Sequence, residues 1–251
     1  MEDTRSIVIV GGEDGNLARL TTQIEPIRLS ENKGLAIKSI FHGTVCNINH
    51  NNNKVHYSLK YSGQFEIKYF EIPVGNYPDS VSILNEISDF ISQLDPHGAV
   101  TRKPRFEITI RAKRNAVKIS THNISILVLN KRETPWSLLG IPSDIDEFNS
   151  VEVDKLDFTP WMIPSFLYVN IVENSYINGK LSRNLSTVPL NLKRGWSYHE
   201  FENPIYIPVD VKEFSKIVLE LRDLNGDYVC FNSNYKTMVT LHLKPINREL
   251  R

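Results

Sequence analysis

The segment Val8-Ile9-Val10-Gly11-Gly12-Glu13-Asp14-Gly15 has the residue types of a phosphate-cradling loop, an apolar strand handing over to glycines. Such a loop presents backbone N–H groups to a pyrophosphate at the start of a helix. The spacing G-x-G-x-x-G needs glycine where Val10 stands, and Glu13 and Asp14 would repel the anion. Thr21, Thr22 and Pro26 interrupt any helix that would follow. The segment reads instead as a glycine-rich turn or an N-terminal arm. Seven histidines (His42, His50, His56, His97, His122, His199 and His242) include no H-x-x-x-H or H-E-x-x-H pair. His42, His50 and His56 are separated by asparagine-rich turns, which favours exposed strand and loop positions over a zinc site. Asp144-Ile145-Asp146-Glu147 lacks the glycine and later glutamate of a calcium loop and reads as a solvated acidic turn. No G-x-S-x-G nucleophile elbow is present. Cys46 and Cys230 admit one disulfide by arithmetic, but two isolated cysteines form neither a disulfide scaffold nor a thiolate zinc site. Reduced thiols are expected. The residues therefore predict no catalytic set, no cofactor site and no metal site.

Two features remain that could make contacts. Arg102, Lys103 and Arg105, followed by Phe106, Arg111, Lys113 and Arg114, form the strongest local positive charge. Lysine and arginine there could touch a phosphate backbone and release counterions. A solvated strand edge would use the same cations to discourage aggregation. The tryptophans Trp136, Trp161 and Trp196 stand beside proline or glycine segments rather than inside strand patterns. Loop-borne tryptophan can anchor an interface, and it can equally cap the core at the end of a sandwich. All three are candidate assembly residues.

The elements that must position these groups are mostly strands. The chain has 251 residues, 41% hydrophobic and 23% charged, which is ordinary for a globular protein and ample for a core. Lys+Arg and Asp+Glu are equal at 29 each, without the basic excess of a dedicated nucleic-acid binder. No stretch approaches the ~20 apolar residues of a membrane span, and the start carries no secretory pattern. Synthesis inside a cell without secretion is expected. Short β-branched and aromatic segments separated by Gly, Pro, Asn and Asp indicate a sandwich or barrel. In 216–223, Ile217, Leu219 and Leu221 alternate with Val218, Glu220 and Arg222. Asn225-Gly226 then predicts a hairpin, with Tyr228–Phe231 returning. Val239, Leu241 and Leu243 share one face of a last strand, and Asn178-Gly179 predicts a second hairpin. One segment has helical period: Val81, Ile83, Leu84, Ile87, Phe90, Ile91 and Leu94 fall on one face of 79–94, with Asp79 as N-cap and Pro96 and Gly98 beyond the end. Residues 130–164, with four prolines, read as a long connection between strands or a boundary between halves.

A set of motifs in fixed order goes further. Pro164-Ser-Phe-Leu-Tyr168-Val169-Asn-Ile-Val172-Glu173 is followed by Asn203-Pro204-Ile-Tyr206-Ile-Pro208-Val209, then Phe214, Asp223, Gly226 and Val239-Thr-Leu241-His242-Leu243. Ile72-Pro-Val-Gly75-Asn-Tyr77 precedes the helix, and Leu138-Leu139-Gly140-Ile141 follows 119–129. Over roughly residues 65–245 this order resembles the minor capsid (penton) proteins of Polinton/Maverick-type elements, adintoviruses and virophages. Leu243 stands where those proteins often carry Phe. The resemblance implies a single jelly-roll β-sandwich of two antiparallel Greek-key sheets with one inserted amphipathic helix. In it, Tyr168, Asn203, Pro204, Tyr206, Pro208 and Asp223 would define the fold rather than a site. It implies a homopentamer at the five-fold vertices of an icosahedral virion, beside a double jelly-roll major capsid protein. The expected organisation is an N-terminal arm or edge strand at 1–20 and a jelly-roll domain at 21–251. A ligand- or carbohydrate-binding β-sandwich is the competing reading, supported by the tryptophans. An enzyme on a β scaffold is disfavoured by the missing catalytic set.

Overall fold

The computed structural model describes residues 4–11, 16–29, 32–61, 64–94, 105–111, 116–129, 134–142, 144–154, 162–177, 180–191, 195–232 and 236–246. The chain divides into two compact units. One joins Met1–Cys46 to Trp161–Arg251; the other is Asn47–Pro160. Three strands open the first unit: β1 (Arg5–Val10), β2 (Arg19–Arg28) and β3 (Lys33–His42). The second unit holds β4 (Lys54–Tyr61), β5 (Gln64–Glu71), α1 (Ser80–Gln93), β6 (Arg105–Arg111), β7 (Ala116–His122), β8 (Ser125–Leu127), β9 (Glu147–Phe148) and β10 (Ser150–Asp154). The chain then returns to the first unit with β11 (Met162–Val169), β12 (Ser175–Ile177), β13 (Lys180–Ser182), β14 (Asn184–Asn191), β15 (Ser197–Glu200), β16 (Ile207–Pro208), β17 (Glu213–Arg222) and β18 (Met238–Pro245).

The first unit is a jelly roll. One sheet runs β1-β18-β3-β15, with β16 also on β3; the other runs β14-β11-β17-β2. The pairings nest: β1 with β18, β2 with β17, β3 with β15 and β11 with β14, all antiparallel. A long hairpin rolled into two sheets gives this order. Period-two alternation fills the space between the sheets. Ile7, Ile9, Leu35, Ile37, Ile40, Val239, Leu241 and Leu243 come from one sheet; Leu20, Leu167, Val169, Val188, Leu190, Ile217, Leu219 and Leu221 come from the other. Ile37 and Ile40 are three apart, a spacing that would send them to opposite faces of a regular strand. A one-residue bulge, with Leu241 opposite Ile37 and Thr240 opposite Ser39, leaves Lys38 over and returns both to the core. The other sheet has a similar shift where Phe214 faces Ile27 and Lys216 faces Gln23. Pro26, which has no N–H for a ladder, falls inside that shift.

The expected hairpins form, the second with a different turn and return. Ile177 faces Lys180 across a two-residue link at 178–179, residues that lie outside those described. At 223–228, Asn225 does not join Gly226 at positive φ; only Gly226 does, at 89°. The Asp223 carboxylate instead accepts from the N–H groups of Asn225 (2.8 Å) and Asp227 (3.0 Å), holding a wider loop. Tyr228–Phe231 returns through isolated bridges, Arg222 with Tyr228 and Val45 with Phe231, rather than a continuous strand.

In the second unit, β10-β7-β6 and β5-β4-β8-β9 form two antiparallel sheets. The chain leaves one for the other at Asn123, whose φ is +62°, a conformation that asparagine tolerates better than most residues. The helix spans Ser80–Gln93 and buries Ile83, Leu84, Ile87 and Ile91. Ser88 Oγ donates to the Phe106 carbonyl of β6, and Phe90 stacks on Phe70 of β5 at 4.2 Å. Within 130–164 the described residues include a 3-10 turn at Pro135–Ser137, β9 and β10. Gly140, at φ +70°, allows the Ile141 N–H to close back on the Trp136 carbonyl. No described helix is long and apolar enough to cross a membrane.

The Asp79 carboxylate accepts from Ser82 N–H at 2.7 Å and from the Ser82 hydroxyl at 2.8 Å. Asp79→Ala should destabilise the helix start by about 1 kcal/mol, read as several-fold faster amide exchange in the first turns of α1 and little change in β17. His42 is buried, and its Nδ1–H donates to the Gly43 carbonyl at 2.7 Å. Burial lowers its pKa, the Gly43 carbonyl opposes that, and nearby His199 lowers it further. The unfolded imidazole takes a proton near pH ~6.5, whereas the folded one does so only at lower pH. Folded stability is therefore complete above that range and falls as pH drops through it. The thermal midpoint should decline from pH 7 to pH 5, and His42→Gln should flatten that decline. An unchanged slope in the variant would assign the acid sensitivity elsewhere.

Candidate assembly surface

Residues that alternate with the core positions of β1, β18, β3 and β15 point away from the sandwich. At one end of this outer face, Val10 faces Met238, Met238 faces Phe41 and Phe41 faces Tyr198, a single row across four strands. Val10 is 46% exposed, Met238 37% and Tyr198 60%. Trp196, 49% exposed, stacks on Phe41 with ring centroids 4.4 Å apart and planes 28° apart. Tyr198 leans on the same ring at 6.4 Å, and its hydroxyl donates to Glu200 Oε2 at 3.2 Å. Val8, also exposed, extends the apolar surface along β1, while its row continues through Thr240, Ser39 and Glu200. The surface is an apolar and aromatic ridge bordered by polar residues.

The opposite end of the same face is covered by the chain itself. Gly34 and Ala36 leave room there: a Cβ on Gly34 would lie 2.7 Å from Ile246 Cγ2 and 2.9 Å from Tyr206 Cβ. Tyr206 hydrogen-bonds His242 Nδ1 through its hydroxyl at 2.6 Å, and Lys244 Nζ sits 3.9 Å from its ring centroid. Burial, with Lys38 and Lys244 nearby, lowers the His242 pKa, while burial raises that of Tyr206. Pro208, facing Gly34, ends this strap, and its carbonyl accepts from the Glu173 N–H. Asn203 and Ile205 are exposed, and Pro204 is half-buried.

The outer face of the other sheet is polar. Arg222 pairs with Glu220 at 2.8 Å and lies over the Tyr228 ring, and the Tyr228 hydroxyl donates to Glu220 Oε1 at 3.0 Å. Arg19 approaches Glu220 at 3.6 Å, and Arg28 approaches Glu213 at 3.2 Å. The Asn170 side chain accepts from the Val218 N–H, and Tyr168 lies half-buried beside Phe166. This surface has its own partners and can remain solvated.

The residues singled out in the sequence are dispersed. Trp136 is 1% exposed, edge-on to Phe148 at 5.6 Å in the core of the Asn47–Pro160 unit. Trp161 lies outside the described residues, and Trp196 alone of the three is seen on the surface. The other residues of the ridge, Val10, Phe41, Tyr198 and Met238, carry no motif; their alternation with core residues was the only available signal. Arg102 and Lys103 lie outside the described residues, as does the side chain of Arg105 at the start of β6. A nucleic-acid contact there rests on the sequence alone. Gly12–Gly15 are likewise outside; Gly11 follows β1 and its N–H donates to the Thr237 carbonyl. His50 sits in the turn after Asn49, and His56 is in β4 with its ring beside Tyr69. Among the described residues, no group of three or more His, Cys, Asp or Glu side chains could hold a metal ion.

No family model matches the chain, and no curated protein matches it. The fold does have a solved counterpart. The chain is similar to the crystal structure of the mavirus penton protein, with a TM-score of 0.50 and 12% identity, over 98% of this chain and 100% of that one.

Proposed function

We propose that this protein is a structural component of an icosahedral capsid, a minor capsid (penton) protein that assembles as a homopentamer at the five-fold vertices. The observation that carries the reading is the full-length fold likeness to a penton protein. The order of motifs over 65–245 also supports it. On this reading the protein has no catalytic task, and its partners are copies of itself and a double jelly-roll major capsid protein. A closed ring needs a head-to-tail surface on every subunit. The ridge formed by Val10, Met238, Phe41, Tyr198 and Trp196 has the composition of such a contact, exposed aromatic and apolar groups within a polar rim. We assign it to the subunit–subunit interface of the pentamer.

Exposed aromatics on one sheet face are also what a carbohydrate-binding sandwich uses, and the Phe41–Trp196 stack is the observation that favours it. A glycan array separates the two readings. Specific binding abolished by Trp196→Ala, with no assembly under any condition, would favour the binding module.

The capsid reading predicts five-fold rings or vertex incorporation when the protein is co-expressed with its major capsid protein, scored by light scattering and negative-stain images. Trp196→Ala with Tyr198→Ala should weaken ring formation at least ~30-fold, since losing one hot-spot aromatic costs an interface about 2 kcal/mol or more. The monomer's melting temperature should change little, because both side chains are half-exposed or more. A wild-type chain that stays monomeric both alone and with the shell protein would refute the proposal.

A further inference from the structure

Cys46 and Cys230 oppose each other across the short antiparallel pairing that follows β3 and precedes β18. Val45 bridges Phe231, Cys46 N–H donates to the Cys230 carbonyl at 2.8 Å, and Asn232 N–H donates to the Thr44 carbonyl at 2.9 Å. That register sets Cys46 opposite Cys230, with one backbone hydrogen bond between them. Directly opposed residues of an antiparallel ladder hold their Cα atoms about 4.5–5.5 Å apart, inside the ~4.4–6.8 Å usual for a disulfide. Both cysteines are free, and their side chains hydrogen-bond each other. Cys46 is 5% exposed, whereas Cys230 is only partly buried.

We propose that Cys46 and Cys230 are a dithiol–disulfide pair, oxidised to an intrachain bond by a small-molecule disulfide of the glutathione class. The two thiols are unequal in the way this chemistry needs. The hydrogen bond to Cys230, together with burial, pushes the Cys46 thiol far up, and the same hydrogen bond draws Cys230 down. Cys230 thus ionises first and is the one that solvent reaches. Its thiolate attacks one sulfur of the small disulfide; a mixed disulfide forms on Cys230 and one small thiolate leaves. Cys46 then gives its proton to solvent and attacks the Cys230 sulfur. The Cys46–Cys230 bond forms, and the second small thiolate departs. Two protein thiols are oxidised, one small disulfide is reduced to two thiols, and the protons balance through solvent.

The position of the bond gives it leverage. Cys46 is the last residue of the jelly-roll unit before Asn47 opens the other unit, so the closed loop contains the whole of Asn47–Pro160. Closing a long loop removes more freedom from the unfolded chain than closing a short one. A chain made in a reducing compartment would stay dithiol there and lock on reaching an oxidising one. This chemistry does not depend on the capsid reading, and its test uses the isolated protein.

The test exposes the purified full chain to excess oxidised glutathione, then unfolds it and alkylates it with iodoacetamide. Alkylation should fall from two groups per chain to none. The intact mass should show a monomer without glutathione, and a tryptic map should yield one peptide linking Cys46 to Cys230. Cys46→Ser should halt at a single glutathione on Cys230. If that variant does not fold, the linked wild-type peptide still decides. A glutathione adduct that persists on the wild type, two cysteines that remain alkylatable, or disulfide-linked dimers would each overturn the proposal.

Discussion

The jelly-roll unit depends on β1 pairing with β18, the first described strand with the last. β1 brings Ile7 and Ile9 to the core and gives β18 its outer hydrogen-bonding partner. Each such side chain contributes about 1.5–3 kcal/mol when fully buried, and the ladder spares one flank of β18 from an unpaired edge. The other nested pairs repeat the arrangement inward, with β2 on β17, β3 on β15 and β11 on β14. Most of these pairings join residues distant in sequence, so loop-closure entropy is met before the contacts that offset it. Slow, cooperative closure is expected of that topology. The bulges follow from the same constraint. An antiparallel ladder sends alternate residues to opposite faces, and the shift at Lys38 is what keeps Ile37 and Ile40 in one core.

The core requirement also decides what is left outside. Once Ile9, Val239 and Ile40 are committed inward, Val10, Met238 and Phe41 must point outward, whatever their hydrophobicity. At the other end of this face the chain deals with the same geometry differently. Small residues, Gly34 and Ala36, let Tyr206 lie on the sheet, where His242 and Lys244 hold it. On the second sheet the outward positions carry Glu220, Arg222 and Arg19, which pair with one another. The Val10–Tyr198 row receives neither treatment. An exposed apolar row on a face that is otherwise strapped or charged is the feature on which the proposed subunit contact rests.

How much of this was legible in the sequence depends on the range of the interaction. Local periodicity identified β17 through Ile217, Leu219 and Leu221, and identified α1 through Ile83, Leu84, Ile87 and Ile91, with Asp79 as its cap. The motif order pointed to the jelly roll. Register was not legible, because it is set between distant strands by which residues must share a face. For the same reason the row that gathers Val10, Met238, Phe41 and Tyr198 was invisible, although each residue sat in plain view. Trp136 and Trp196 have similar neighbourhoods in sequence, yet one is edge-on to Phe148 in a core and the other stacks on a surface phenylalanine. Only tertiary packing separates them. The Asn225-Gly226 turn was legible as a turn but not in its geometry, since the Asp223 carboxylate sets a wider loop than a two-residue hairpin.

The division of the chain at Asn47 and Pro160 has a topological reason. β3 and β11 belong to different sheets of the sandwich, so the chain between them must cross from one sheet to the other. A connection of this kind tolerates inserted length at low cost, because the entropy of closing a loop grows only with the logarithm of its size. Insertion within the β17–β18 or β11–β14 links would instead act beside residues already held by Asp223 or by the β12–β13 hairpin. The crossing therefore accommodates a second unit with its own core while the nested pairs stay intact. It also explains why the pairing of Thr44–Cys46 with Cys230–Asn232 matters. This is the last point at which the jelly roll grips the chain before releasing it, so interactions made there bear on how firmly the entry to the inserted unit is held.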